Sequence, residues 1–429
     1  MRKKAQIFIV IILVIISLES SMFAFYNSYQ WTDAEDTITV SNGKKDNDVS
    51  FEKRSSILNG ENLEESNQLD LKCESCILIE QTTGQILYTK NSHEKLRPAS
   101  VTKLMSILLI MEQIDSGKLK YEDKIPCSSN AANMGGSQIW LDTKETLSVE
   151  EMLKAICIVS ANDCVVALAE HIAGSEEAFV QMMNEKAKEL KMNDTVFKNC
   201  HGLDEDGHET SAYDIAIMSR ELLTNHPEIT NYTTTVIDSL REGKSQLVNT
   251  NKLLRNYQGC TGLKTGSTSL ALFNLSASAT RDGLSLIAVV MKSPTSKERF
   301  NDAEKILNYG FANYSFVKFA KKNEKIKSIR VLKGIDDYID VYFKNDEGVL
   351  IPKGQEQNIS QEISIQENVE APVYKGEKLG EVTYSLNNEV IGKIDIVTNN
   401  DISKIGIFTM SSKILEVWVK LFRWKINVC

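Results

Sequence analysis

Apolar positions occur in blocks along the chain, and the first block is short. It runs from Ile7 to Ile16 after a basic start, a pattern that is typical of an export signal and too short for a comfortable membrane span. Residues 28–68 are polar and acidic with little periodicity, which predicts a flexible linker. We therefore predict an export signal at residues 1–27, with cleavage near Ala24 favoured over an uncleaved N-terminal anchor.

From Leu71 onward the pattern becomes that of a globular domain, which we place at residues 69–315. The stretch "CILIEQTTGQILYTKN" has two apolar, β-rich runs about a Thr-Thr-Gly turn and predicts a β-hairpin. Two further strand-like runs, "ALFNLSASAT" and "LSLIAVVMK", lie near the end of this domain. Because strands occur at both ends, we predict an antiparallel sheet whose first and last parts pair.

Helical periodicity fills the region between these strands. One helix is predicted from Ser100 to a C-cap at Gly117, and a second begins at a capping box formed by Ser148 and Glu151. A third covers "EEAFVQMMNEKAKEL", and a fourth begins at Ser211. The pattern therefore predicts a helical subdomain beside the sheet.

The last part of the chain changes character twice. Residues 316–399 hold short β-rich segments separated by turn residues, which predicts a small all-β domain. Residues 400–429 form a separate tail. From Lys413 onward, polar side chains recur at helical steps of three and four with apolar residues between them: Lys413, Glu416, Lys420, Arg423 and Asn427 against Ile414, Leu415, Val417, Trp418, Leu421, Phe422 and Trp424. This predicts an amphipathic helix lying in the headgroup region of a membrane, with packing on the β domain as the alternative. Charges interrupt the run, which disfavours a spanning helix.

Composition and charge narrow the class of protein. A length of 429 residues suggests two or three domains, and 42% hydrophobic residues suffice for buried cores. A net charge of −9 and an acidic isoelectric point near 5.4 argue against a nucleic-acid partner.

Eight cysteines need an explanation in an exported protein. Cys73 and Cys76 form a Cys-x-x-Cys, but no second pair follows, which disfavours a zinc ribbon. Cys76 lies in the predicted hairpin, and Cys157 and Cys164 flank a helix end, so we interpret all three as small core residues. We expect mostly free thiols.

The first candidate for chemistry is Ser100 with Lys103, in "RPASVTKLM". Spacing of i, i+3 puts both side chains on one helical face, where a lysine that burial or a nearby cation keeps neutral can take the serine proton. The alternative is an ordinary helix start with Ser100 as N-cap and Lys103 in solvent.

Two more short motifs follow. Ser160-Ala161-Asn162 lies at the end of the capped helix, where side chains can turn into a cleft. Lys264-Thr265-Gly266 precedes a strand-like run, and its glycine lets a ligand backbone approach closely. Each could be an ordinary turn or strand entry. In the order Ser-x-x-Lys, Ser-x-Asn, Lys-Thr-Gly, they form the motif set of penicillin-binding proteins and β-lactamases.

With these motifs, the chain resembles the low-molecular-mass penicillin-binding proteins, the serine-type D-alanyl-D-alanine carboxypeptidases. "GQILYTKNSHEKLRPASVTKLM" and "HGLDEDGHETSAYDIAIMSREL" are similar to that family beyond the motifs. The resemblance implies an α/β (α+β) penicillin-binding/β-lactamase-like transpeptidase fold. In it, an antiparallel sheet is flanked by a helical subdomain, and a small all-β C-terminal domain and a membrane anchor follow.

The resemblance also implies the roles of four residues. Ser100 would be the nucleophile that forms an acyl-enzyme with the penultimate D-Ala carbonyl. Lys103 would be the general base, kept neutral by Lys264 and by partial burial. Ser160 would relay a proton to the departing amine, and Asn162 would position Lys103 and the substrate amide.

Substrate-binding residues follow from the same resemblance. Lys264 and Thr265, beside Gly266, would hold the terminal carboxylate. The backbone N–H groups of Ser100 and Ser267 would form the oxyanion hole. Arg299 in "SKERF" would be a second carboxylate partner, or else a surface arginine at a helix start.

Three features either depart from the family pattern or raise the question of a different chemistry. Leu272 stands where the family has Gly or Lys, which bears on turnover. His201 and His208 flank an acidic stretch, but their spacing fits no zinc signature, so we interpret the loop as a solvated turn and expect neither metal nor cofactor. A Ser-His-Asp triad is disfavoured because the chain has no Gly-x-Ser-x-Gly.

The sequence thus predicts an exported enzyme on the outer face of the bacterial cytoplasmic membrane. It would remove the terminal D-alanine from peptidoglycan stem pentapeptides and be inhibited by β-lactams. A β-lactamase is one alternative, but no Glu-x-x-Leu-Asn follows Ser160, and Ala161 replaces the aspartate of Ser-Asp-Asn. A catalytically silent wall-binding scaffold is the other, supported only by Leu272.

Overall fold

The computed structural model describes residues 69–345, 347–407, 409–412, 414, 415, 418 and 419. The predicted export signal at 1–27 and the predicted linker at 28–68 lie outside the described residues. So do residues 408, 413, 416, 417 and 420–429 of the predicted tail.

The first domain mixes helices and strands, and the described part of the second consists of strands and one 3-10 turn, Glu356–Asn358. The helices are α1 (Lys103–Asp115), α2 (Ser129–Ala132), α3 (Val149–Val159), α4 (Asn162–Ala173), α5 (Glu176–Glu189), α6 (Ala212–Asn225), α7 (Thr230–Thr233), α8 (Leu253–Asn256) and α9 (Ser296–Asn313). The strands of the first domain are β1 (Ser75–Glu80), β2 (Ile86–Lys90), β3 (Lys124–Pro126), β4 (Thr146–Ser148), β5 (Ile237–Leu240), β6 (Ser245–Val248), β7 (Cys260–Thr268), β8 (Leu272–Arg281) and β9 (Leu284–Ser293).

A five-stranded antiparallel sheet with strand order β2-β1-β9-β8-β7 forms the centre of the first domain. Strand β1 pairs with β9, with Leu78 opposite Ala288, so the prediction that the first and last strands pair is confirmed. Strand β7, which carries the Lys-Thr-Gly motif, lies at one edge of the sheet.

Both faces of this sheet are covered, because alternate residues of a strand point to opposite sides. On β9, Ile287 and Val289 contact a core made with the helical subdomain, whereas Leu286 and Ala288 contact a second core that includes α9. Because both faces of β9 are buried, its sequence contains a continuous run of apolar residues.

Local capping signals fix where the helices begin. Ser148 and Glu151 form the predicted capping box at the start of α3, and the Ser211 hydroxyl accepts a hydrogen bond from the N–H of Asp214 at the start of α6. The helix predicted from Ser100 instead begins as a 3-10 turn, Ala99–Thr102, and continues as α1.

The second domain is all-β, as predicted. Its strands are β10 (Tyr314–Ala320), β11 (Lys325–Leu332), β12 (Tyr338–Phe343), β13 (Glu347–Pro352), β14 (Ile359–Ile365), β15 (Asn368–Glu370), β16 (Lys378–Leu386) and β17 (Glu389–Thr398). Six of them form a sheet in the order β14-β16-β17-β12-β11-β15, and β10 pairs with β13. Leu350 of β13 packs into the core under α9, which ties the two domains together.

The seven described cysteines are free thiols, and Cys76, Cys157 and Cys164 are buried core residues as predicted. In the described part of the tail, residues 409–412 are helical. The apolar side chains described there are exposed: Ile407, Met410, Ile414, Leu415, Trp418 and Val419. None of the helices among the described residues combines the length and the apolarity that crossing a bilayer requires.

Candidate active site

Ser100 and Lys103 lie where the 3-10 turn passes into α1. Lys103 Nζ is 3.1 Å from Ser100 Oγ, and the lysine side chain is fully buried. The alternative of a capping serine beside a solvated lysine is wrong, because Thr102 occupies the N-cap of α1 and no side chain caps that helix.

Lys103 Nζ has two further partners, and both are pure acceptors. It lies 2.6 Å from Asn162 Oδ1 and 2.6 Å from the carbonyl oxygen of His201. Burial first, and then the charge of Lys264, lower the pKa of Lys103 well below its usual range. A neutral amine has two N–H donors and one lone pair. Because the two carbonyl oxygens take the donors, the lone pair is left facing the Ser100 hydroxyl.

Asn162 is oriented by its own backbone and amide contacts. Its Nδ2 donates to the Gly135 carbonyl at 2.7 Å, which turns Oδ1 toward Lys103. Gly136 packs on this amide with a φ of +75°, and an added Cβ would be 2.8 Å from Asn162 Nδ2. Only glycine fits this approach, a requirement that the sequence analysis missed.

Ser160 lies between helices α3 and α4. It is the C-cap of α3, with a left-handed φ of 66°, and its side chain is buried. Within the described part of the chain, its Oγ has no hydrogen-bond partner. A buried hydroxyl without a partner is costly, so it is available to a group that a bound substrate brings.

The edge strand β7 brings Lys264 and Thr265 to the site. Lys264 is almost fully buried, and burial, reinforced by Arg299 and opposed by Cys157, lowers the pKa of Lys264 to about 8. Its Nζ donates to the Thr265 carbonyl at 3.2 Å, and Thr265 Oγ1 is 2.7 Å from Thr250 Oγ1. A cation that keeps its charge at neutral pH beside a hydroxyl can hold a carboxylate.

Gly266 and Ser267 follow on the same strand. A Cβ at Gly266 would lie 2.9 Å from the backbone nitrogens of Ser100 and Val101, so the bare glycine lets β7 lie against the 3-10 turn. Ser267 is exposed and is opposite Phe273 of β8. Because β7 is an edge strand, an extended ligand can pair with its free side.

Arg299 lies under β7 rather than at the surface. It is 6% exposed, and its Nη1 donates to the carbonyls of Gly266 at 3.2 Å and Asn274 at 3.1 Å. Burial lowers its pKa to about 10. The alternative of a surface arginine is therefore wrong.

The loop with His201 and His208 is not a solvated turn, because both rings are buried. His208 Nε2 is 2.8 Å from Thr102 Oγ1, and its Nδ1 accepts from the N–H of Lys198. Burial lowers the pKa of His208 to about 4 and that of His201 to about 3, so both rings are neutral. Among the described residues, no group of three or more histidine, cysteine or carboxylate side chains is arranged to hold a metal ion.

Leu272 lies beside the turn of the β7–β8 hairpin, whereas Lys264 lies in the middle of β7. It is half-buried, has a φ of 53° and is opposite Thr268. One residue pair, Ser267 with Phe273, separates it along the hairpin from the pair of Gly266 with Asn274.

Taken together, a serine hydroxyl 3.1 Å from a buried lysine with a lowered pKa, beside an edge strand that carries a second buried lysine, is the arrangement of a serine acyl-transfer enzyme. Comparison with known families agrees. The family model for D-alanyl-D-alanine carboxypeptidase matches residues 62–295, and that for the C-terminal domain of penicillin-binding protein 5 matches residues 314–404. The chain belongs to the D-alanyl-D-alanine carboxypeptidase family, a family of serine hydrolases of the cell wall, as the resemblance predicted.

Individual relatives cover most of the chain. It is 43% identical over 359 residues to the D-alanyl-D-alanine carboxypeptidase DacF of Bacillus subtilis, which spans 83% of this chain and 92% of that protein. It is 32% identical over 340 residues to DacC of Escherichia coli, spanning 77% of this chain and 84% of that one.

Solved structures confirm the predicted fold. Penicillin-binding protein 5 of Haemophilus influenzae superposes with a TM-score of 0.67 at 30% identity, covering 79% of this chain and all of that one. Penicillin-binding protein D2 of Listeria monocytogenes, in an ampicillin-bound form, superposes with a TM-score of 0.53 at 30% identity, covering 57% of this chain and all of that one.

Proposed function

We propose that this enzyme removes the terminal D-alanine of peptidoglycan stem pentapeptides through an acyl-enzyme on Ser100. The observation that carries the proposal is the set of partners around Lys103 Nζ. Two fixed carbonyl oxygens take its N–H groups, and its lone pair faces the Ser100 hydroxyl at 3.1 Å. A lysine held in this way is a general base.

In the acylation step, Ser100 Oγ forms a bond to the penultimate D-Ala carbonyl carbon while its proton passes to Lys103 Nζ. The N–H groups of Ser100 and Ser267 stabilise the resulting oxyanion, a contribution of about 3 kcal/mol for one donor in comparable sites. The C–N bond then breaks, and the departing D-alanine amine receives the proton from Lys103 through the Ser160 hydroxyl. Water attacks the ester in a second round of the same proton transfers, which releases the shortened peptide.

Recognition of the terminal carboxylate is assigned to Lys264 and Thr265, with Arg299 as a buried supporting cation. Because the pKa of Lys264 is about 8, its side chain is charged in most molecules at neutral pH. Arg299 donates to the Gly266 carbonyl, so it holds strand β7 in place and also adds a positive charge near Lys264.

The two alternatives make different predictions for β-lactams. A β-lactamase hydrolyses the drug quickly, and a silent scaffold does not react. Lys103 and Ser100 stand in reactive geometry, which favours an active enzyme over a scaffold. The ampicillin-bound form of the Listeria relative supports β-lactams as ligands of this site.

One experiment separates the three functions. The full chain is incubated with fluorescent penicillin, the modified residue is mapped by mass spectrometry, and D-alanine release from a pentapeptide is measured. A stable adduct on Ser100 together with D-alanine release supports the carboxypeptidase. Rapid drug hydrolysis identifies a lactamase, and the absence of any adduct identifies a scaffold.

We also propose that the enzyme is exported and is held on the outer face of the cytoplasmic membrane by its tail. The basic, then apolar, start of the chain supports export. Exposed apolar side chains on the described tail residues support a membrane-associating helix over a helix packed on the β domain. The domain boundaries at 69–315, 316–399 and 400–429 stay predictions.

A further inference from the structure

Glu176, the first residue of α5, reaches out of its helix to the segment that faces Lys103. Its Oε1 accepts the backbone N–H of Cys200 at 3.1 Å and lies 3.4 Å from His201 Nε2. Its side chain is only 18% exposed, and a helix N-terminus favours a carboxylate there.

The hydrogen bonds of His201 determine which ring nitrogen carries the proton. Its Nδ1 accepts the N–H of Leu203 at 3.1 Å, so the single proton of the neutral ring is on Nε2. Burial holds the pKa of His201 near 3, which keeps the ring neutral at any working pH. The Nε2–H group therefore points at Glu176, and one carboxylate oxygen serves two consecutive residues of the loop.

The opposite side of the same segment lies on α1 and the nucleophile turn. The Cys200 carbonyl accepts from Ser106 Oγ at 2.6 Å, and the His201 carbonyl accepts from Lys103 Nζ at 2.6 Å. Gly202, with a φ of +89°, packs so closely on the turn that an added Cβ would overlap the Ala99 carbonyl oxygen. The segment is thus clamped between Glu176 and the Ser100–Lys103 pair.

We propose that Glu176 is a positioning residue for the general base: it fixes the Cys200–His201 segment, whose carbonyl takes one N–H of Lys103. This inference rests on the proposed function of Lys103. If the His201 carbonyl shifts, one N–H of the neutral lysine loses its acceptor and can turn toward Ser100. The lone pair then no longer faces the hydroxyl in every molecule. Glu176 contacts neither Ser100, Lys103 nor the substrate region, so its effect is indirect.

The test compares Glu176→Ala, Glu176→Gln and Glu185→Gln in the full chain. Glu185 is an exposed carboxylate on the same helix and is the matched control. For each variant, the binding constant and the limiting rate constant of penicillin acylation are separated by stopped-flow fluorescence. Titration of reactive sites and the melting temperature are recorded alongside.

We expect Glu176→Ala to lower the limiting acylation rate constant roughly tenfold or more, since two hydrogen bonds to a charged acceptor are lost. Glu176→Gln keeps one oxygen that can accept from both donors but loses the negative charge, which weakens both hydrogen bonds, so its loss should be smaller, about threefold. The binding constant should stay within twofold, because Lys264 and Thr265 are untouched. Glu185→Gln should match the wild type.

Equal limiting rate constants in wild type and Glu176→Ala would overturn the proposal. So would a fall in the number of reactive sites without a fall in the rate constant, because that result indicates a purely structural role. If Glu176→Ala does not fold, an unchanged rate in Glu176→Gln overturns it instead. Failure of the proposed function is distinguishable, since it would appear as a wild-type chain that is not labelled on Ser100.

Discussion

Gly266 of the edge strand lies against the backbone nitrogen of Ser100. A Cβ added at position 266 would be 2.9 Å from Ser100 N and 2.9 Å from the Pro98 carbonyl oxygen, closer than side-chain carbons come in folded proteins. Both neighbours are backbone atoms and cannot rotate away. The missing side chain therefore sets the distance between the carboxylate-binding strand and the nucleophile.

Gly266→Ala should consequently slow acylation far more than it destabilises the protein. The methyl group must push β7 or the 3-10 turn by several tenths of an ångström, and a misplacement of about 1 Å can cost about 100-fold in rate. We expect at least a tenfold lower rate of fluorescent penicillin labelling. Gly406→Ala is the control, because an added Cβ there meets nothing within 4 Å. Labelling of Gly266→Ala at the wild-type rate would mean that the turn relaxes freely.

The roles of Ser100 as nucleophile and Lys103 as base each predict a loss of penicillin acylation, for a different reason. Ser100→Ala should abolish penicillin labelling outright, because the hydroxyl that lies 3.1 Å from Lys103 Nζ is removed. Lys103→Arg should also fail to acylate, since a guanidinium stays protonated and cannot accept the serine proton. Intact-mass measurement after drug treatment checks both. An adduct in the Ser100→Ala chain would refute the assignment of the nucleophile.

Lys264 predicts a pH dependence on the alkaline side. Its pKa of about 8 means that the ammonium is present below that pH and is lost above it. The concentration of penicillin or peptide needed for half-maximal acylation should therefore rise as pH increases through about 8, because the carboxylate loses its partner. Rapid-mixing titrations at a series of pH values measure this directly.

Lys264→Ala supplies the control for that titration. Its binding should be weak at every pH and should lack the alkaline rise. If the rise persists in this variant, another group causes it. Stability gives a second check: between about pH 8 and the ordinary lysine value of 10.5, the unfolded state binds more protons at Lys264, so this group's contribution to the free energy of unfolding increases with pH.

Much of the fold could be predicted because its signals are local. The Ser148–Glu151 capping box and the Ser211 N-cap occur where the sequence indicates, since each depends on residues three apart. The pairing of β1 with β9 followed from strand-like runs at both ends of the domain. The three motifs were enough to identify Ser100, Lys103 and the strand with Lys264 from the sequence alone.

The remainder of the site depends on contacts between distant parts of the chain. The His201 carbonyl carries no side-chain signature, yet it is one of the two acceptors that orient Lys103. Glu176 reads as an ordinary helix-start carboxylate, and it becomes informative only when α5 is packed beside residue 200. Arg299 likewise reads as a surface residue until α9 is placed under β7. Backbone acceptors and buried helix starts are set by tertiary packing, which periodicity does not encode.

The tail gives the last prediction, and the structure indicates where to cut. Ile402 is buried in the β-domain core and pairs with Val373, and Lys404 pairs with Gly334, so removal of these residues would damage the domain. A chain ending at Gly406 keeps these contacts and loses the exposed apolar residues that begin at Ile407. After removal of the export signal, it should stay in the supernatant when membranes are sedimented, whereas the full tail should pellet. Its penicillin acylation rate should match the full chain within about twofold, because the motifs lie in the other domain.

As a finer control, Trp418→Ser in the full chain should weaken vesicle binding without affecting acylation, since one large interfacial side chain is lost. Pelleting of the chain that ends at Gly406 would show that another surface holds the enzyme to the membrane.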